Sequence, residues 1–303
     1  MLSFLPPLLR GVIASLILFI NTLVLAPLLI CVSLLRFVLP IKAFQIRCTM
    51  LAIGIAELWI SINSGWMWLT QKTQWDVTGV ETLDKQHWYL VTSNHQSWSD
   101  IVILQHLLNR KIPMLKFFLK QQLIWVPVIG LCWWALDFPF MKRYTREYLE
   151  KHPEKHGEDF KSTQKACEKF KHTPVTIFNF LEGTRFTEEK HQRQNSPYRH
   201  LLKPKAGGIG FVIGAMGDSL NSLLDITIVY PHLARPTFWE FISGQVDNVI
   251  VRVEKKEIPP HFHGKNYFEN EAFKEELQSW VSALWQEKDQ QLEQLKNGET
   301  NTV

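Results

Sequence analysis

The sequence predicts an α/β domain, a sheet covered by helices, set behind an amino-terminal membrane helix. Three observations carry that prediction. From about Trp75 onward, β-favouring apolar runs alternate with runs of helical spacing. An uncharged stretch from residue 11 to residue 35, bracketed by Arg10 and Arg36, exceeds the ~20 apolar residues that cross a bilayer as a helix. The chain's 303 residues, 46% of them hydrophobic, suffice for a sizeable core in one large domain or two small ones.

Taken in order, the first span reads as a retained anchor. A cleaved signal has a shorter apolar region, and Pro27 after Val24-Leu25-Ala26 disfavours cleavage while a membrane helix tolerates it. Arg36, Lys42 and Arg47 follow the span, whereas only Arg10 and the amino terminus precede it. The positive-inside rule therefore places the rest of the chain in the cytoplasm. A second apolar run, 50–70, carries Glu57 and the cluster Trp59, Trp66, Met67 and Trp68. An amphipathic helix lying in the interface fits that charge better than a second span, which would invert the sidedness. Candidate strands follow at 88–93, 136–141, 175–181, 225–230 and 249–253, with helical patterns at 101–108, 162–172 and 206–216. A terminal amphipathic helix over 270–296 presents Phe273, Leu277, Trp280, Val281 and Leu284 as a packing face. The expected units are thus 1–70 for anchor and interfacial helix, 71–265 for the α/β domain, and 266–303 for the terminal helix and polar tail.

Composition narrows the function. A net charge of +4, from 33 basic and 29 acidic residues, suits a protein near anionic lipid better than a nucleic-acid binder. Cys31, Cys48, Cys132 and Cys167 show no CxxC pairing, so neither zinc nor a disulfide framework is suggested. The 12 tryptophans fit interfacial membrane contact or a Trp-rich core. There is no GxSxG, HExxH, GxGxxG or GxxxxGK motif. His106, His152, His156, His172, His261 and His263 have no ligand-like partners and read as structural or solvent residues.

The stretch Ser93-Asn94-His95-Gln96-Ser97-Trp98-Ser99-Asp100 lies between a buried strand and a helix. His95 then falls in the turn and Asp100 in the first or second turn of the helix, from where a carboxylate reaches back to one imidazole nitrogen. A His oriented by an Asp is the minimal general base for activating a hydroxyl; helix capping is the plainer reading of the same residues. The run Phe178-Asn179-Phe180-Leu181-Glu182-Gly183-Thr184-Arg185 ends a second strand. Gly183 lets the backbone approach a ligand, and Arg185 can grip a phosphate with its planar fork. Lys142 and Arg143 follow a third strand-like run, and Lys116 and Lys120 stand among aromatics. Lys190, His191, Arg193, Arg199, His200, Lys203 and Lys205 read as an exposed loop attracting lipid headgroups. The small residues Gly207, Gly208, Gly210 and Gly214 suggest close helix packing.

The order and spacing of these pieces resemble a known family. Asn94-His95-xxxx-Asp100, Phe140-Met141-Lys142-Arg143, Phe180-Leu181-Glu182-Gly183-Thr184-Arg185 and Val229-Tyr230-Pro231 look like the four ordered blocks of the PlsC-like glycerolipid acyltransferases. Stretches around Phe118 to Pro127 and Phe138 to Tyr144 look most like its membrane-anchored bacterial branch of YihG type. Departures include Leu181 where the family usually has Pro, and His232 after the fourth block. The resemblance implies a mixed sheet covered by helices and transfer of a fatty acyl group to the sn-2 hydroxyl of 1-acyl-glycerol-3-phosphate, giving phosphatidic acid. It implies His95 as the base and Asp100 as its orienting carboxylate, with no covalent acyl-enzyme. Asn94, Arg143, Glu182, Gly183, Thr184 and Arg185 would bind the acceptor. No cofactor or metal is implied; the donor is acyl-CoA or acyl carrier protein loaded with a fatty acid. Lysophosphatidic acid, the acyl thioester and membrane lipids are the expected partners. Three alternatives stay open: another lysophospholipid as acceptor, a catalytically silent membrane lipid-binding protein, or a hydrolase that uses His95 to activate water on a lipid ester or thioester.

Overall fold

The computed structural model describes residues 1–117, 119–141, 170, 174–233, 235–267 and 269–298. The first apolar run forms α1 (Pro7–Leu35), with Pro27 inside it, and the second forms α2 (Lys42–Thr70). Each is 29 residues long, about 43 Å at 1.5 Å per residue. Both are long and apolar enough to cross a membrane. They pair antiparallel, with Asn21 donating to Trp59 O and to Asn63 Oδ1 (2.6 Å), and Leu2 N to Leu69 O. The second run therefore starts earlier than its apolar core suggested, because Lys42 and Arg47 begin the helix.

This hairpin rests on the remainder of the chain at both ends. At its closed end Arg36 pairs with Asp137 at 2.6 Å, and Ser33 donates to the Ala135 carbonyl. At its open end Gln71 donates to the Phe241 carbonyl at 2.6 Å. There α1 runs so close to Trp239 that a Cβ on Gly11 would stand 2.6 Å from the indole.

Eight strands follow among the described residues: β1 (Gln74–Thr78), β2 (Tyr89–Ser93), β3 (Leu115–Phe117), β4 (Leu119–Lys120), β5 (Phe140–Met141), β6 (Thr176–Asn179), β7 (Ser222–Val229) and β8 (Asn248–Glu257). Six make a mixed sheet in the order β1-β8-β7-β2-β6-β3, while β4 and β5 pair separately. Within the large sheet only β7 and β8 run antiparallel. Strands β2 and β7 are buried at every position, the pattern of strands covered on both faces.

The helices supply those covers. Helix α3 (Ser99–Leu108) and the hairpin residues Ala14, Trp66 and Met67 pack on Tyr89, Val91, Phe178, Leu224, Ile226 and Ile228. The opposite face, with Leu90, Ile177 and Leu223, meets α6 (Gly207–Met216) and α8 (Glu271–Lys296). Alternation along β2 sends Leu90 one way and its two neighbours the other. The described residues also form three short α-helices: α4 (Ile129–Ala135), α5 (Glu188–Gln194) and α7 (Phe238–Ile242).

Several expectations are corrected here. Of the strand expected over 136–141, only Phe140–Met141 pairs, and it does so outside the main sheet. The basic loop after Arg185 contains α5, started by the Thr187 side chain accepting from Lys190 N. The helix expected over 162–172 lies, but for Phe170, outside the described residues.

Helix α8 is fixed to the sheet by a charge as well as by its apolar face. Lys288 is fully buried, with Nζ 2.8 Å from Asp225 Oδ1, and it donates to Ile226 O at 2.7 Å and Thr227 Oγ1 at 3.1 Å. Burial pulls its pKa down, and Asp225 opposes that pull. Removing one partner of such a pair strands the other charge. Lys288→Met should therefore cost about 3–5 kcal/mol of stability, read by denaturant unfolding in detergent. Adding Asp225→Leu should restore part of it, and an unshifted midpoint in the single variant would contradict the assignment.

Candidate active site

Strand β2 pairs in parallel with β6 on one side and β7 on the other, so the carboxyl ends of the three open at one place. Ligand groups gather at such ends. Three segments leave the sheet there: Asn94-His95 after β2, Phe180 to Arg185 after β6, and Tyr230 after β7. The Phe186 N–H donates to the His95 carbonyl at 2.8 Å, tying the first two loops together.

Asp100 sits in the first turn of α3 and is fully buried. Its Oδ2 accepts from Gln96 N at 2.7 Å and Ser97 N at 2.8 Å, and lies 2.9 Å from His95 Nδ1. Its Oδ1 accepts from the Tyr230 hydroxyl at 2.6 Å. Each oxygen of this carboxylate thus faces at least one hydrogen-bond donor and serves as an acceptor. The proton between it and the imidazole therefore belongs to Nδ1, which leaves Nε2 with the free lone pair. The Phe180 ring stacks on His95 with centroids 3.7 Å apart and an angle of 12°.

Asn94 and Glu182, both expected to bind the acceptor, direct their polar side-chain atoms at backbone groups. Asn94 Nδ2 donates to Ile228 O at 2.9 Å, and Asn94 Oδ1 accepts from Ile228 N at 2.8 Å. The side chain thus continues the pairing of β2 with β7 and aims the next residue, His95. Glu182 Oε1 accepts from His95 N at 2.9 Å, and Oε2 accepts from Leu202 N at 3.0 Å. Helix α8 steadies the far side of that clamp: Trp285 donates to Leu202 O, and Asp289 accepts from the backbone N–H groups of Arg199 and His200. Burial pushes Glu182 up to about 8, against the two backbone N–H groups that favour its ionised form.

The other expected residues line a basic rim. Gly183, at φ +68°, closes a tight turn by donating to Phe180 O at 2.9 Å, a backbone conformation that glycine adopts without strain. Arg185 is exposed, its guanidinium 4.8 Å from the ring centre of Trp98. Lys190 Nζ donates to Thr184 Oγ1 at 2.8 Å and to Arg185 O at 2.9 Å. Lys205 Nζ would lie 3.5 Å from a Cβ at Gly183. Arg235 stacks on Phe186 and pairs with Glu188. The turn after β6 is thus bordered by cations from three segments. Arg143 lies outside the described residues. Sequence reasoning passed over Phe180 and Tyr230 as site residues; the order of the blocks held the only signal for them.

The Glu182 carboxyl gives a pH test. Its ordinary value is near 4.5 and its folded value about 8, so the folded form binds the proton more tightly than the unfolded chain. Stability from this group is full below about 4.5 and is lost progressively as pH rises towards about 8. Wild type should therefore lose unfolding free energy relative to Glu182→Gln across that window. Parallel curves for the two proteins would show the carboxylate ionised throughout, fixed by its two N–H donors.

Comparison with known proteins adds to this geometry. Residues 74–231, just over half the chain, match a family model described as Acyltransferase. Lysocardiolipin acyltransferase 1 of Mus musculus is 28% identical over 226 residues, 70% of this chain and 55% of the relative. The 1-acyl-sn-glycerol-3-phosphate acyltransferase delta of Homo sapiens is 24% identical over 187 residues, 57% of this chain and 43% of the relative. The chain spans about half the length of the curated relatives it matches. The crystal structure of the 1-acyl-sn-glycerophosphate (LPA) acyltransferase PlsC from Thermotoga maritima superposes with a TM-score of 0.52 and 17% identity. That match covers 92% of this chain and 97% of the other.

Proposed function

The chain belongs to the PlsC-like acyltransferase family, and from that premise we propose that it carries a fatty acyl group from a thioester to the sn-2 hydroxyl of 1-acyl-glycerol-3-phosphate. The product is phosphatidic acid, and the donor is acyl-CoA or acylated acyl carrier protein. The observation that carries this reading is the His95–Asp100 pair, with Nε2 free, beside a turn bordered by cations.

In this mechanism His95 Nε2 takes the hydroxyl proton as the acceptor oxygen attacks the thioester carbonyl carbon. Asp100 stabilises the imidazolium through Nδ1. The C–S bond then breaks, and the imidazolium returns the proton to the leaving thiolate. Both substrates are held together, so proximity supplies much of the acceleration. Arg185 grips the acceptor phosphate as a planar fork grips an oxyanion, the role expected of Arg143 as well. Thr184 and the Gly183 backbone meet the glycerol.

The hairpin supports attachment to a membrane. Its apolar side chains Leu16, Phe19, Leu23, Ile46 and Met50 are exposed. Both of its ends rest on the same folded body, an arrangement that suits helices lying in one leaflet better than two crossings of the bilayer. The catalytic domain then stays on one side, the cytoplasmic face of an inner membrane.

A second acceptor is favoured by one observation. The relatives include lysocardiolipin acyltransferases, and Lys190, Lys205 and Arg235 extend the basic rim beyond Arg185, as an acceptor with a further phosphate would use. The test supplies purified protein with acyl-CoA and either 1-acyl-glycerol-3-phosphate or lysocardiolipin. Phosphatidic acid should form, and His95→Ala should lower kcat/KM by about 10²–10⁴-fold. Turnover of lysocardiolipin alone would move the assignment to that acceptor. Full activity in His95→Ala would remove His95 as the base, and silence of folded wild type with every acceptor would favour a lipid-binding role.

A further inference from the structure

We propose that Tyr230 is a positioning residue of the reaction: its hydroxyl holds the Asp100 carboxylate and thereby sets how firmly the pair keeps its proton on His95. In its kinetic consequences this rests on the function proposed above; in its chemical consequences it does not.

Tyr230 follows the last residue of β7, the strand paired with β2 through Ser93↔Ile226. Two residues before it, Ile228 is clamped by Asn94 through both backbone groups. The tyrosine is therefore fixed relative to the turn that carries His95. It is 3% exposed, and its hydroxyl donates to Asp100 Oδ1 at 2.6 Å. The other carboxylate oxygen faces His95 and the two backbone N–H groups. Among the described residues, Tyr230 is the one hydrogen-bond donor to Oδ1.

A buried carboxylate shares its charge among its donors. The phenol draws charge towards Oδ1, away from the imidazole at Oδ2. Burial first, and Asp100 second, keep the phenol protonated well beyond its ordinary range, so it remains a donor wherever the enzyme works. Among the described residues, Glu182 clamps the His95 backbone and feels Asp100, and Lys288 on α8 feels Glu182. If the hydroxyl is removed and the ring kept, the carboxylate charge concentrates at Oδ2 and the imidazolium is stabilised. His95 then holds its proton to higher pH.

A residue that only fills the core predicts something else, because phenylalanine occupies nearly the same space. The experiment compares wild type, Tyr230→Phe, Asp100→Asn and the double variant, after thermal melting confirms that each is folded. The first reading is the pH dependence of carbethoxylation of His95, followed by mass spectrometry of its peptide. The midpoint should rise in Tyr230→Phe by about half a pH unit to one pH unit, as loss of one charge-assisted hydrogen bond does. The second reading is kcat/KM for acyl transfer against pH. Its rising limb should move by the same amount, and Tyr230→Phe should add almost nothing to Asp100→Asn, since residues acting through one another are not additive. An unmoved midpoint, or additive losses in the double variant, would overturn the proposal. Carbethoxylation needs no turnover, so a moved midpoint in a protein without transferase activity would keep the chemical claim and overturn the function instead.

Discussion

Asp100 lies fully buried, where an ionised carboxylate without partners would be driven to take up a proton. The fold supplies donors from three directions: the turn after β2, the imidazole of His95, and the end of β7. Only parallel neighbours bring those ends together. The pairing of β2 with β7 is thus the condition for the His95–Asp100–Tyr230 arrangement, and the covering helices are the condition for the pairing. Glu182 and Asn94 serve the same end, since each uses its side chain to fix the backbone on one side of His95.

The site is most legible where its parts lie close in sequence. His95 and Asp100 are five residues apart across a strand-to-helix turn, so spacing alone suggested their contact. Tyr230 is 130 residues from Asp100, and nothing local marks it as a partner. Asn94 and Glu182 were legible as residue types in the right loops, but not as residues spent on backbone groups. That distinction depends on which strand lies next door. The central strands were visible as continuous apolar runs. The edge strands β1 and β3 were not, since one alternates as Gln-Trp-Asp-Val-Thr and the other has three residues.

The terminal helix illustrates how a packing element reaches the chemistry. Its apolar side covers the sheet, as its spacing predicted. Trp285 and Asp289 go further and hold the loop whose Leu202 N–H meets Glu182, which in turn meets His95. At the other end of the chain, the hairpin gives the domain a large apolar surface.

A histidine base that moves the acyl group straight from thioester to hydroxyl leaves no acyl-enzyme between. Rapid-mixing measurement of thiol release from acyl-CoA, with acceptor present and with acceptor withheld, tests it most directly. The account predicts one thiol released per phosphatidic acid formed, and no burst of thiol when the acceptor is absent. A burst equal to the enzyme concentration without acceptor would reveal a covalent acyl-enzyme and contradict it.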